Sequence, residues 1–171
     1  MRIRLSKAII RNFKISDKIS ITKHANNRKI WKNVRNAFPH PYIEANAEEW
    51  ISSILEEKVK TKFAIVVDGK AIGGIGVEKK EDVYVQTMEL GYWIGEEYWN
   101  KGIITEAIQA IVDYVFEKFD IIRLEAHVYH WNIGSMRALE KVGFEKEAIL
   151  KKRVFKDEKY VDEHIYTKFK E

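Results

Sequence analysis

Apolar residues at Ile104, Ile108, Ile111 and Val115 recur at helical spacing, so residues 102–116 predict an amphipathic helix. Just beyond, the period falls to two. Ile122, Leu124, Ala126 and Val128 alternate with Arg123, Glu125, His127 and Tyr129, which predicts a strand over residues 121–130. A second helix opens at Asn132 and stops at Gly143, a left-handed cap with Phe144 folded back behind it. Upstream, residues 63–67 and 71–78 read as strands joined at Asp68-Gly69, a tight hairpin signal. Residues 84–95 complete this meander, with Met88, Leu90, Tyr92 and Ile94 on one face and Glu89, Gly91 and Trp93 on the other.

The remaining segments are read from their punctuation. Residues 8–13 form a strand, and 16–36 form one broken helix or two short ones. Both prolines fall in Phe38-Pro-His-Pro-Tyr42, a loop that neither a helix nor a central strand could occupy. Asn46 and Glu49 have capping-box spacing at the head of a helix running to about residue 60. Residues 154–155 and 161–169 flank a closing hairpin. A meander followed by strand–helix–strand implies an α/β (α+β) class, with a mixed, mostly antiparallel sheet and helices on both faces. With 171 residues and no linker-like stretch, a single domain over 1–171 is expected.

Composition narrows the chemistry. Lys and Arg number 30 against 26 Asp and Glu, a net charge of +4, which is too small a surplus to imply nucleic-acid binding. The absence of cysteine removes disulfides, thiolate metal sites and any cysteine-bound acyl intermediate. No Gly-x-Ser-x-Gly elbow is present, so a serine-bound acyl-enzyme is not expected either. Neither a signal-peptide stretch at the start nor a run long enough for a membrane span is seen, and the cytoplasm is the expected location. No His, Asp or Glu grouping has metal-ligand spacing, so no metal is expected.

The densest segment runs from Gly91 to Glu106. A strand ends near Gly95, a short loop carries Lys101 and Gly102, and a helix starts at once. The first amides of a helix lack internal partners and the helix dipole adds positive charge there, so the loop can cradle a pyrophosphate largely with main chain. Its spacing is neither the dinucleotide fingerprint nor a P-loop.

Glu89-Leu-Gly-Tyr-Trp-Ile-Gly95, Trp99-Asn-Lys-Gly-Ile-Ile-Thr-Glu-Ala107 and Trp131-Asn-Ile-Gly-Ser-Met-Arg-Ala-Leu-Glu-Lys-Val-Gly-Phe144 together resemble the RimJ/RimL-type branch of the GNAT N-acetyltransferases. Phe38-Pro-His-Pro-Tyr42 and Phe155-Lys-Asp-Glu-Lys-Tyr-Val-Asp162 are similar to segments of the same branch, in the same order. The resemblance implies acetyl-coenzyme A as co-substrate, with Trp93 and Ile94 offering main-chain groups to pantetheine. It also implies that Trp99, Asn100, Lys101, Gly102, Ile103, Ile104 and Thr105 hold the pyrophosphate. Ile104 is bulkier than the small residue usual at that point, which changes packing but leaves its amide.

Acyl transfer to an amine needs a neutral amine, a polarised carbonyl and a proton for the departing thiolate. Glu89 is the candidate general base, its competing role being a strand carboxylate paired with a neighbouring Arg or Lys. His127 is the second candidate base. Ser135 is the candidate donor to the thiolate, and it could equally satisfy a backbone group in the first helical turn. Asn132 combines a cofactor contact with a helix N-cap. Phe38, His40 and Tyr42 are expected to shape the acceptor pocket, or else to pack beneath their loop. The favoured acceptor is a protein N-terminal α-amine, such as that of a ribosomal protein. A polyamine, an aminoglycoside or another small amine meets the same chemistry, and a non-catalytic acyl-coenzyme A-binding regulator is the reading outside enzymes.

Overall fold

The computed structural model describes all residues, 1–171. In chain order the strands are β1 (Arg2–Arg4), β2 (Ile9–Arg11), β3 (Lys62–Val67), β4 (Lys70–Lys79), β5 (Thr87–Ile94), β6 (Arg123–Tyr129), β7 (Glu145–Lys156) and β8 (Lys159–Phe169). The helices are α1 (Lys18–Ala25), α2 (Arg28–Trp31), α3 (Glu44–Glu56), α4 (Ile103–Lys118) and α5 (Ile133–Lys141). The sheet has eight strands in the order β1-β2-β3-β4-β5-β6-β8-β7. β5 and β6 run parallel, as a strand–helix–strand crossover through α4 requires. β1–β2, β2–β3, β3–β4, β6–β8 and β7–β8 are antiparallel. The mixed, mostly antiparallel α/β class expected from the periodicity is the one observed.

The chain forms two compact units, one comprising Met1–Gly76 with Tyr92–Ala107, the other Val77–Gly91 with Ile108–Glu171. In the first, α3 buries Ala47, Ile51 and Ile54, spaced three to four apart, among Phe13, Ile21, Tyr42, Ala64 and Val66. Burying each large aliphatic side chain contributes about 1.5–3 kcal/mol, so this stripe and not intrinsic propensity holds α3 in place. Trp50 closes the cluster edge-on to Phe13, ring centroids 5.0 Å apart. The hairpin turn between β3 and β4 has Asp68 and Gly69 at φ 48° and 78°, as a two-residue primed turn demands.

In the second unit the predicted helical stripe is buried at Ile108, Ile111 and Val115, joined by Val112, while Ile104 in the first unit is half-buried; the alternating strand is buried at Leu124, Ala126 and Val128. Gly143 caps α5 at φ 85°, and the buried Phe144 donates its amide to Leu139 O at 3.1 Å. Tyr166, wholly buried, donates its hydroxyl to Glu140 Oε1 at 2.8 Å.

Three expectations shift. Helix α3 begins at Glu44, and Asn46 is its third residue, not its cap; its Oδ1 accepts the amide of Ile43 at 3.0 Å. Ile122 is exposed rather than part of the inward row, because it precedes β6 and its main chain bonds Gln86 and Lys170 at the strand's entrance. β1 and most of β7 add to the strands read from periodicity. β7 is the last strand of the sheet, and its residues Lys151–Arg153 bulge opposite Asp162, between the pairs Leu150–Glu163 and Val154–Val161. Lys152, at φ 52°, donates its amide to Asp162 Oδ1 at 2.7 Å to hold that bulge.

Candidate active site

The loop expected to hold a pyrophosphate lies in the first unit, between β5 and α4. Asn100 and Gly102 both have positive φ, 58° and 81°, and they flank Lys101. Alternating handedness of this kind turns successive N–H groups to one side, an anion-binding arrangement. Asn is one of the few residues that tolerates it without a glycine's freedom. The first intrahelical bond of α4 runs from Glu106 N to Gly102 O, at 3.2 Å, so the amides of Ile103, Ile104 and Thr105 have no acceptor within the helix. A Cβ built on Gly102 meets no protein atom within 4 Å, so that side of the loop is open to a ligand.

Two lysines reach this loop. Lys101 places its ammonium 5.4 Å from the Tyr98 ring centre, and Lys7 donates Nζ to Lys101 O at 3.3 Å. Ser6 binds both carboxylate oxygens of Glu106, Oγ at 2.5 Å and N at 2.8 Å, which holds the Glu106 carboxyl below its ordinary range. The acid in the first turn of α4 is thereby engaged by the N-terminal segment. Donors, dipole and cations together fit a diphosphate group. Sequence spacing could not reveal Lys7, which arrives through the β1–β2 turn.

The strand end before the loop is braced. Trp99 donates Nε1 to Ile94 O at 2.9 Å. The carbonyl of Ile94, whose main chain is expected to serve pantetheine, therefore already has one partner. Gly95 leaves room for His24, whose Nδ1 would lie 2.7 Å from any Cβ there. Glu96 is tied by Asn27 Nδ2 at 2.8 Å and by Lys29, and Asn27 in turn caps α2 by accepting the amide of Lys29 at 2.8 Å. These bonds pull the Glu96 carboxyl below its usual range.

The proposed acceptor loop is also in this unit. Tyr42 is buried in the core with its hydroxyl pushed up to about 12 by burial, and its amide is held by Asn26 Oδ1 at 3.1 Å. Phe38 packs on Tyr42 and edge-on to Trp93, with centroids 4.7 and 5.5 Å away. His40 is exposed beside Trp31. Phe38 thus connects the loop to the cofactor strand, Tyr42 serves chiefly as packing, and His40 faces solvent.

The second unit holds the candidate acid–base groups. Parallel register sets Glu89 on β5 beside Glu125 on β6. Glu89 is half-buried and Glu125 buried, and one ligand atom from each of Glu89, Glu125 and His127 lies within 4.8 Å of the others. Lys80 forms an ion pair with Glu125, and Arg123 reaches it at 3.4 Å while also holding Glu147 at 2.5 Å. Burial alone would raise the Glu125 carboxyl, but the bonds from Lys80 and His127 outweigh it and hold it low. The cluster is a network of mixed charge, assembled by strand register from residues far apart in sequence.

At the head of α5, Asn132 Oδ1 accepts the amide of Ser135 at 3.3 Å, the expected N-cap. The cap engages the main chain of Ser135. Ser135 is half-buried in the first turn of the helix.

An acetyltransferase (GNAT) domain model matches residues 7–145. A probable N-acetyltransferase of Bacillus subtilis (strain 168) is 39% identical over 102 residues, covering 58% of this chain and 56% of its own length. The ribosomal-protein-serine acetyltransferase of Escherichia coli (strain K12) is 28% identical over 106 residues, 62% of this chain and 59% of its own. The chain thus spans rather more than half the length of these two relatives. Among solved structures, a ribosomal L7/L12 α-N-protein acetyltransferase in complex with coenzyme A superposes with TM-score 0.87 at 15% identity, covering 99% of this chain and 98% of that one.

Proposed function

The chain belongs to the GNAT acetyltransferase family, and on that premise we propose that it moves the acetyl group of acetyl-coenzyme A directly onto a primary amine, with a protein N-terminal α-amine as the acceptor. The observation that carries the reading is the loop from Asn100 to Gly102 running into α4, whose unpartnered amides and two lysines suit a diphosphate. The ribosomal-protein-serine acetyltransferase among the relatives supports a protein amine as acceptor. We read residues 1–171 as one such domain. No helix is long and apolar enough to cross a membrane, which agrees with a cytoplasmic enzyme.

When bound, the co-substrate supplies a thioester carbonyl open to attack by an amine. The chain's own work is positional and protonic. Ile103, Ile104 and Thr105 present amides, and Lys7 and Lys101 present ammonium groups, to the diphosphate. Glu89 removes a proton from the incoming ammonium, so that the nitrogen attacks with a free pair. The Ser135 hydroxyl gives a proton to the departing thiolate and is restored by the second proton that the nitrogen sheds, so a C–N bond forms as the C–S bond breaks, with no acyl-enzyme between.

Thiol release from acetyl-coenzyme A, measured across short peptides with free α-amines, spermidine and an aminoglycoside, tests the whole reading. Peptides are expected to give the highest kcat/KM. Turnover confined to the small amines would overturn the acceptor, and absence of both turnover and binding at millimolar acetyl-coenzyme A would overturn the activity.

Ser135→Ala keeps the amide that Asn132 caps, so α5 should retain its start. A donor that acts as charge develops on sulfur is lost mainly in the transition state. The variant is therefore expected to lose roughly 10²-fold in kcat, the low end of general-acid effects, while its affinity for coenzyme A in calorimetry stays unchanged. Equal losses in affinity and rate would assign Ser135 to binding.

A further inference from the structure

One imidazole stands among carboxylates from three strands. His127 on β6 turns Nε2 to Glu125 Oε1 at 3.3 Å and Nδ1 to Glu163 Oε2 of β8 at 3.5 Å. The Glu89 carboxylate of β5 completes the ring, within 4.8 Å of the Glu125 and His127 ligand atoms. The other charges around the group are Lys80 and Arg123, both on Glu125, and Glu147, on the far side of Arg123.

Carboxylates accept hydrogen bonds, so an imidazole that faces one at each nitrogen is best satisfied with N–H on both, which is the charged form. A general base must instead offer a lone pair. The geometry thus gives His127 a different task from the proton acceptor its place on β6 first suggests. We propose that His127 is a positioning residue that works as a cation, its imidazolium bracing β6 against β8 and holding the Glu89 carboxylate in place for proton removal. This rests on Glu89 being the base.

The electrostatics agree. The Glu163 carboxylate raises the proton affinity of His127 most, burial works against it, and the charges of Glu89 and Glu163 with the bond to Glu125 add to the rise, leaving the group above its ordinary value of 6.5. The sign follows. The imidazolium and its contribution are fully present below the ordinary imidazole range and are lost as pH rises through the elevated folded value.

The experiment measures kcat/KM for parent and His127→Gln with one peptide acceptor from acid to alkaline pH and takes their ratio, which cancels titration of the amine. The parent is expected to lead by about three- to tenfold at the acid end, with the lead fading as the imidazole discharges. Glu163→Gln should move that fading to lower pH, and the His127 ring resonances in NMR should titrate lower by the same amount. His127→Lys should recover part of the lead at alkaline pH, where the lysine keeps its charge. A parent-to-variant ratio that stays flat with pH, or an imidazole that titrates at or below the ordinary range in the parent, overturns the proposal. Glu89→Gln measured alongside separates the two readings. A damaged Glu89→Gln with a flat His127 ratio leaves Glu89 as base and removes His127, whereas an undamaged Glu89→Gln removes the base and this role together.

Discussion

Glu89→Gln is expected to turn over about 10²–10⁴-fold more slowly than the parent at neutral pH, the usual contribution of a positioned general base. A free α-amine titrates near ~8, so at neutral pH the acceptor arrives largely protonated and a proton must leave before attack. Gln keeps the shape and hydrogen-bonding capacity of the side chain but has no basic oxygen pair. The variant should bind acetyl-coenzyme A as the parent does, since the diphosphate loop is built from residues 99–105. Its deficit should shrink in alkali, as more of the amine arrives already neutral. The competing role, a strand carboxylate in an ion pair, predicts a loss of stability with little change in rate. In the fold, the nearby cations Lys80 and Arg123 are both directed to Glu125. A pH–rate profile for Glu89→Gln that coincides with the parent's returns Glu89 to structure.

Gly102→Val should weaken acetyl-coenzyme A binding by about ten- to a hundredfold. Two causes contribute and can be separated. At φ 81° a β-branched residue is strained by roughly 1–3 kcal/mol. A Cβ there meets no protein atom within 4 Å, so the side chain starts in open space where a ligand brought onto the loop would meet it. Gly102→Asn tolerates the left-handed backbone but still fills that space. Calorimetry should therefore find both variants weakened if the diphosphate lies against Gly102. A loss confined to Gly102→Val, accompanied by a lower melting temperature, would mean that only the backbone had suffered. Parental affinity in both variants would take the diphosphate away from this loop.

The parts of the molecule legible in its sequence are those where a single element faces two environments. α4 announces itself because one side is buried, with Ile108 and Ile111 on it, and β6 because apolar Leu124, Ala126 and Val128 alternate with polar residues, although Glu125 and Tyr129 on the other face are buried too. β1 and β7 do not, because exposed outer strands have no inward row to alternate; eight of the twelve residues of β7 are exposed. Asn46 misplaces the start of α3 because a polar side chain reaching back from the third helical residue looks the same in sequence as a cap reaching forward.

The loop proposed to hold the diphosphate could be singled out for a related reason. It depends on local backbone, and Asn100, Lys101 and Gly102 are contiguous. The charged network could not. Glu89, Glu125, His127 and Glu163 span more than seventy positions and meet only through the register of β5, β6 and β8. Their individual roles had to wait for the partners, among them Lys80 and Arg123 on Glu125.

The two outermost strands have a bearing on how copies of the chain meet at high concentration. β1 offers Arg2 and Arg4 to solvent, and β7 offers Lys151, Lys152 and Arg153 on a bulge that interrupts its ladder. A second molecule approaching either border with either of its own would bring like charges together, and at β7 it would also find the row of hydrogen-bonding groups out of step. Such borders are poor templates for adding a foreign strand. The sheet is thus closed to growth by repulsion and misfit at its open ends, so crowding should drive neither fibres nor runaway sheet extension, and raising the salt, which screens the repulsion, would leave the bulge as the remaining barrier.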